Sequence, residues 1–319
     1  MSETQPEEYD VYSCTKDTCP ATESIYGYAP SLGANAAFIA IFSVSAIIFT
    51  IQGNRTKTRS FSIAMVLGCF CEALGHGGRI MLHYDPFSEV GFKLQICLLT
   101  FAPAFLAAGV YLCLKHLVIT FGAHISRIKP AWYTYIFISC DVLSLALQGA
   151  GGGLASAATG PGSLMNAGNN LMMAGLSFQV FTLLAFATLV AEYFVRVWRH
   201  RHELNPRTEE LRKSRKFRWF LGALVTAYVA ILFRCIYRIA EMAGGWGNPI
   251  MRDETTFIVL DSLMCAVAAA VLNGFHPGFC FDYRKFVGGN EKDAGDESGT
   301  ASPSGVFEVQ HPGKGVSSM

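Results

Sequence analysis

Arg234, Arg238 and Glu241 stand at i, i+4 and i+7 of an apolar run that begins at Phe217, so they share one helix face. A charged side chain at the centre of a bilayer costs about 2.5–3.5 kcal/mol on insertion scales. If the run crosses a membrane, these groups need partners on neighbouring helices, a hydrated cavity or a ligand. The same spacing recurs in Glu72, His76 and Arg79 of an earlier apolar run. Asp141, Ser144 and Gln148 share a face of the fourth run, Gln179 lies in the fifth and Asp261 in the seventh. Glu72, Asp141, Glu241 and Asp261 stand against Arg79, Arg234 and Arg238, the near balance expected when charges pair across a bundle. The chemistry such groups offer is recognition: a carboxylate receives an ammonium, and an arginine holds a carboxylate or meets a phosphate. His76 beside a carboxylate reads either as a proton relay or as a satisfied packing residue.

Other chemistries find no support. There is no Gly-x-x-x-x-Gly-Lys-Ser/Thr loop, no nucleophile arrangement of Ser/His/Asp or Cys/His type, and no convincing metal-ligand spacing. We therefore expect neither an enzyme nor a cofactor, and no nucleic-acid partner. Uphill transport would draw on an ion gradient; otherwise the protein would only equilibrate lipid between leaflets.

These residues need helices to position them. The 319-residue chain is 51% hydrophobic and 15% charged, against about 25% charge in a soluble protein. Apolar runs lie near 32–52, 60–84, 93–120, 132–156, 168–195, 217–243 and 254–275, each long enough to span a bilayer. The expected fold is all-α, a polytopic membrane protein of seven transmembrane helices. Residues 1–31 are polar and acidic, so the first span is expected to act as its own insertion signal. Of the 25 Lys and Arg residues, 19 fall on one side of the spans, 3 on the other and 3 inside them. By the positive-inside rule the N-terminus is outside and the C-terminus cytosolic. The expected divisions are an extracellular segment 1–31, a membrane domain 32–283 and a disordered cytosolic tail 284–319 rich in Gly, Ser, Asp and Glu. Cys14 and Cys19 then lie in an oxidising compartment and are either a small disulfide or two free thiols. The sequon Asn54-Arg55-Thr56 falls in a cytosolic loop and should stay unmodified.

At about 1.5 Å per residue, Arg79 lies roughly 28 Å from the cytosolic start of its span, and Asp261 about 10 Å below the outer end of its own. Arg234, Arg238 and Gln148 also fall in outer halves, whereas Glu72 and Asp141 reach nearer the middle. Convergence of the helices would make a polar cavity facing the outer leaflet. Pro103 should kink the third span, because it removes one backbone hydrogen bond. Gly151 and Gly152, in the glycine run closing the fourth span, read either as a hinge or as ordinary close packing.

From about residue 28 to 278 the chain resembles the fungal lipid-translocating exporter family, seven-span proteins linked to 7-aminocholesterol resistance and sphingoid long-chain base export. The matching motifs include Tyr28-Ala29-Pro30-Ser31, Gly75-His76-Gly77-Gly78-Arg79, Ala102-Pro103 with Ala107-Ala108 and Tyr111, and Asp141-Val142-Leu143-Ser144 with Gln148. They continue through Gly175, Gln179, Arg234-x-x-Tyr237-Arg238-x-x-Glu241 and Asp261 to His276-Pro277-Gly278. The chain departs from the family pattern at His76, where an aromatic residue is common.

The resemblance implies a protein that moves or senses amphipathic lipids or lipophilic toxins, at a fungal plasma membrane or, alternatively, an endomembrane or vacuole. Its partners would be membrane lipids or amphiphilic small molecules, and it would confer tolerance to them. The rival expectation is a seven-span lipid or stress receptor, signalling to a cytosolic protein through the basic loop 196–218. The expected binding and translocation set is Glu72, His76, Arg79, Asp141, Gln148, Gln179, Arg234, Tyr237, Arg238, Glu241 and Asp261.

Overall fold

Each of the seven apolar runs forms a helix, and polar residues mark where several of them start. A computed structural model describes residues 14–280, apart from 123–125, 128, 159–161, 201–203, 205–207 and 246. The expected tail 284–319 and residues 1–13 lie outside the described residues. The spanning helices are α1 (Leu32–Thr56), α2 (Arg59–Tyr84), α3 (Glu89–Phe121), α4 (Pro130–Ala157), α5 (Ser163–Arg199), α6 (Arg215–Ala243) and α7 (Glu254–Cys280). Ser31, Ser88 and Ser214 cap α1, α3 and α6, each accepting from the backbone N–H three residues on. Pro130 opens α4, where its missing N–H is no loss. A short helix, Glu209–Lys213, precedes α6.

Two helices carry irregularities that matter below. α3 runs unbroken through Pro103. α7 is a composite in which Asp253 caps Glu254–Phe257, a π-helical turn covers Ile258–Leu263, and α-helix resumes over Met264–Gly274. No cis peptide bond occurs among the described residues.

α3 is the most enclosed helix, with α2 and α4 beside it and α6 and α7 touching it from across the bundle. α1 packs on α2, α4 on α5, and α6 on α7, which in turn meets α1. Backbones approach closely at small residues, as membrane helices require. A Cβ on Gly78 of α2 would lie 2.8 Å from the Gly91 carbonyl of α3, and one on Gly151 of α4 would lie 2.6 Å from the Gly168 carbonyl of α5. α4 is continuous through Gly151 and Gly152, so in this conformation Gly151 serves close packing.

Apolar side chains also cover the outside, including Ile41, Val44, Ile47 and Ile51 of α1 and Phe181 of α5. This is the expected surface of a protein dissolved in lipid. Trp132, Trp198 and Trp219 are exposed at the start of α4, the end of α5 and the start of α6, all at one end of the bundle. Such a girdle marks a lipid–water boundary. At the other end, hereafter the N-terminal face, Tyr26 is buried among Leu82, Ile96, Met172, Leu176, Met242 and Met251. Cys14 and Cys19, upstream of this residue, are bonded to each other.

Candidate functional site

The charged residues of α2, α6 and α7 converge beneath the N-terminal face and pair in a definite pattern. Arg234 Nε lies 2.9 Å from Asp261 Oδ1, although the N–H is not aimed at that oxygen, so the contact is ionic rather than a formed hydrogen bond. Arg238 pairs with Glu241 one turn along the same helix and reaches the Thr100 hydroxyl of α3 at 3.4 Å. Arg79 lies 3.6 Å from Glu254 and donates to the Tyr28 hydroxyl at 3.0 Å. Its guanidinium also sits over the Phe257 ring, 3.9 Å from the centroid, a cation–π contact that substitutes for lost hydration. Arg79, Arg234, Arg238, Glu241 and Asp261 are all buried.

The two helix irregularities serve this cluster. Pro103 has no N–H to give the carbonyl four residues back, and its ring crowds that carbonyl. The carbonyl in question belongs to Leu99, and Arg234 Nη2 donates to it. A proline in α3 thus supplies an acceptor that a regular helix would have consumed. In α7 the π-helical turn contains Asp261, the partner of Arg234. Such turns often mark functional positions in helices.

Glu72 and His76 stand apart from this pairing. His76 Nδ1 lies 2.9 Å from Asn35 Oδ1, while Asn35 Nδ2 donates to the Ser31 carbonyl. The Asn35 oxygen therefore accepts, which assigns the His76 proton to Nδ1 and leaves Nε2 as an acceptor. Nε2 is 3.9 Å from Glu72 Oε2, too far for a hydrogen bond. Both Glu72 oxygens and His76 Nε2 are buried without a hydrogen-bond partner among the described residues. Phe38 and Phe42 stack on the imidazole, with centroids 5.0 and 6.0 Å away, and hold the ring in place.

A roof closes over the cluster. Ser31 N–H donates to Glu254 Oε1 at 2.6 Å, His83 Nδ1 lies 2.7 Å from the Pro30 carbonyl, and Gln95 Nε2 donates to the Tyr26 hydroxyl at 2.6 Å. Burial pushes the Tyr26 and Tyr28 phenols up from their ordinary value, so both remain donors rather than phenolates.

Asp141, Gln148 and Gln179 form a separate polar seam. Gln148 Nε2 donates to Gln179 Oε1 at 3.2 Å across the α4–α5 contact. No arginine joins Asp141 there; of the acids that the sequence sets against the arginines, Asp261 pairs with Arg234 and Glu241 with Arg238. Tyr237 is buried beside Leu99 and Phe257, and its hydroxyl has no partner among the described residues. Sequence reasoning missed Glu254, Asn35, Thr100 and the Leu99 carbonyl. Asn35, a polar residue early in the first span, could have been found; Glu254 reads simply as an acid in the first turn of a helix. No group of three or more His, Cys, Asp or Glu side chains arranged for a metal occurs among the described residues.

The chain is 32% identical over 294 residues to the sphingoid long-chain base transporter RSB1 of Saccharomyces cerevisiae, covering 82% of this chain and 76% of the relative. It is 28% identical over 302 residues to protoporphyrin uptake protein 1 of the same organism, covering 82% and 95% respectively. It is 24% identical over 302 residues to protein RTM1, also of that organism. No solved structure matches. The family model described as RTA1 like protein matches residues 65–284, a stretch that holds both the paired arginines and the unpaired Glu72, and with that match the chain belongs to the RTA1-like family of integral membrane proteins.

Proposed function

We propose that the protein translocates cationic amphiphiles of the sphingoid long-chain base type between leaflets, exporting them and so conferring tolerance, and that it does no covalent chemistry. The carrying observation is the trio of buried acceptors, Glu72 Oε1, Glu72 Oε2 and His76 Nε2, which form no hydrogen bond among the described residues and have only the weak Cys265 thiol as a donor beside Glu72. An alkyl ammonium brings three N–H donors and no acceptor, and it cancels the charge of a carboxylate that no arginine offsets directly. Arg234 and Arg238 hold Asp261 and Glu241 in place. Arg79, whose Nε and Nη1 have no hydrogen-bond partner among the described residues, suits a phosphate or hydroxyl oxygen of a headgroup entering beneath Tyr26 and Tyr28. The yeast relative named as a sphingoid long-chain base transporter supports the same substrate class. With the charge distribution read by the positive-inside rule, the N-terminal face is the outer one, and the site of action proposed here is the plasma membrane, as the family resemblance implies.

The test uses purified protein in liposomes loaded with a fluorescent long-chain base. Transfer between leaflets at a rate well above that of protein-free liposomes is expected. Saturable binding without transfer would overturn the proposal and point to a sensor instead.

A further inference from the structure

Every arginine buried in the bundle has an acidic partner, and the acids left over are Glu72 and Asp141. Asp141 lies on α4, in a different polar group from Glu72. It is 3% exposed, and neither carboxyl oxygen has a hydrogen-bond partner among the described residues. The titratable groups around it are Tyr111 of α3, Cys140 of α4, and Tyr228 and Cys235 of α6; none is a base. Thr182 faces it from α5, but that hydroxyl donates to the Gln179 carbonyl at 2.8 Å. The Ser144 hydroxyl goes to the Asp141 carbonyl at 3.0 Å and the Tyr228 hydroxyl to the Leu183 carbonyl. The Tyr111 hydroxyl is the neighbouring donor that remains unspent.

Glu72 feels the nearby charges of Arg234 and Arg238, whereas no base acts on Asp141, and an isolated anion cannot be held in such a place without a compensating charge. The groups around it decide which one. One turn along, a Cβ on Gly175 would meet Gln148 Cγ at 2.7 Å and the Ser144 carbonyl at 2.9 Å. An alkali ion needs several oxygen ligands, and the Ser144, Thr182 and Tyr228 hydroxyls are committed to backbone carbonyls, whereas a proton needs only the carboxylate itself. Ser144, Gln148 and Gln179 continue the polar seam from Asp141 toward the N-terminal face, with Gln148 Oε1 also unpartnered.

We propose that Asp141, with Tyr111 beside it, is the ion-coupling site: it carries an exchangeable proton, and one proton moves one way for each cationic amphiphile moved the other. Such an exchange moves no net charge, and it provides a driving force in a chain without a nucleotide-binding loop. The coupling role rests on the transport reading above; the presence of a proton on Asp141 does not.

Two measurements on the full chain separate them. Infrared difference spectra in nanodiscs should show a protonated-carboxyl carbonyl band that shifts in heavy water, is lost in Asp141→Asn, moves in Asp141→Glu and survives in Glu72→Gln. An unchanged band in Asp141→Asn, or none in the wild type, overturns the proposal. In liposomes, a pH difference of one unit should sustain an about tenfold accumulation of labelled base for one-to-one exchange. Asp141→Asn should equilibrate the base without accumulating it, and accumulation retained by that variant overturns the coupling role. If the wild type moves no base at all, the transport reading falls and the infrared band alone decides whether Asp141 holds a proton.

Discussion

At the residue scale, the site sorts its charges into two kinds that a mutation should tell apart. Arg238 and Glu241 are both buried and paired, so removing one strands the other. Arg238→Gln is expected to cost about 3–5 kcal/mol of stability, and Arg238→Gln/Glu241→Gln to recover most of it. Thermal unfolding of the purified variants checks this, and a double variant no more stable than the single would contradict the pairing. Glu72 is the other kind: its oxygens have no hydrogen-bond partner among the described residues, so its charge contributes binding rather than stability. The sequence showed which residues were candidates, because an arginine or glutamate inside a long apolar run stands out. It could not show the pairing. The i, i+4, i+7 spacing places Glu72, His76 and Arg79 on one face, but Arg79 turned out to reach across to Glu254 of α7.

At the element scale, the informative features are where helices depart from regularity. Pro103 was readable as an irregularity, but its consequence lies on another helix, where Arg234 takes the freed Leu99 carbonyl. Pro103→Ala restores an N–H that competes for that carbonyl, which has two lone pairs and so is shared rather than lost. The effects of Pro103→Ala and Arg234→Gln on thermal stability should therefore be coupled by about 0.5–3 kcal/mol in a double-mutant cycle. Additivity to within about 0.3–0.5 kcal/mol would mean that the proline acts only on the shape of α3. The π-helical turn holding Asp261 was not legible at all. Ile258–Leu263 is as apolar as its surroundings, and an i→i+5 turn leaves no periodic mark over so short a stretch.

At the scale of the whole molecule, seven spans were legible because each is a run long enough to cross lipid and because basic residues alternate between their connections. How the helices associate was less legible: Gly78 and Gly151 mark close approaches, yet nothing in their spacing says which helix approaches. The result is a bundle in which paired ions fix the helices while Glu72 and Asp141 stay unpaired. The first is suited to an ammonium and the second to a proton. The most direct test compares transfer of a labelled long-chain base with that of its N-acetylated form, which has lost the ammonium, by wild type and Glu72→Gln in liposomes. Wild type should move the free base at least about tenfold faster, the rate equivalent of about 1.4 kcal/mol. Glu72→Gln, folded and as stable as the wild type, should lose that preference. A Glu72→Gln protein that still prefers the free base would contradict the assignment of Glu72 as the group that receives the amine.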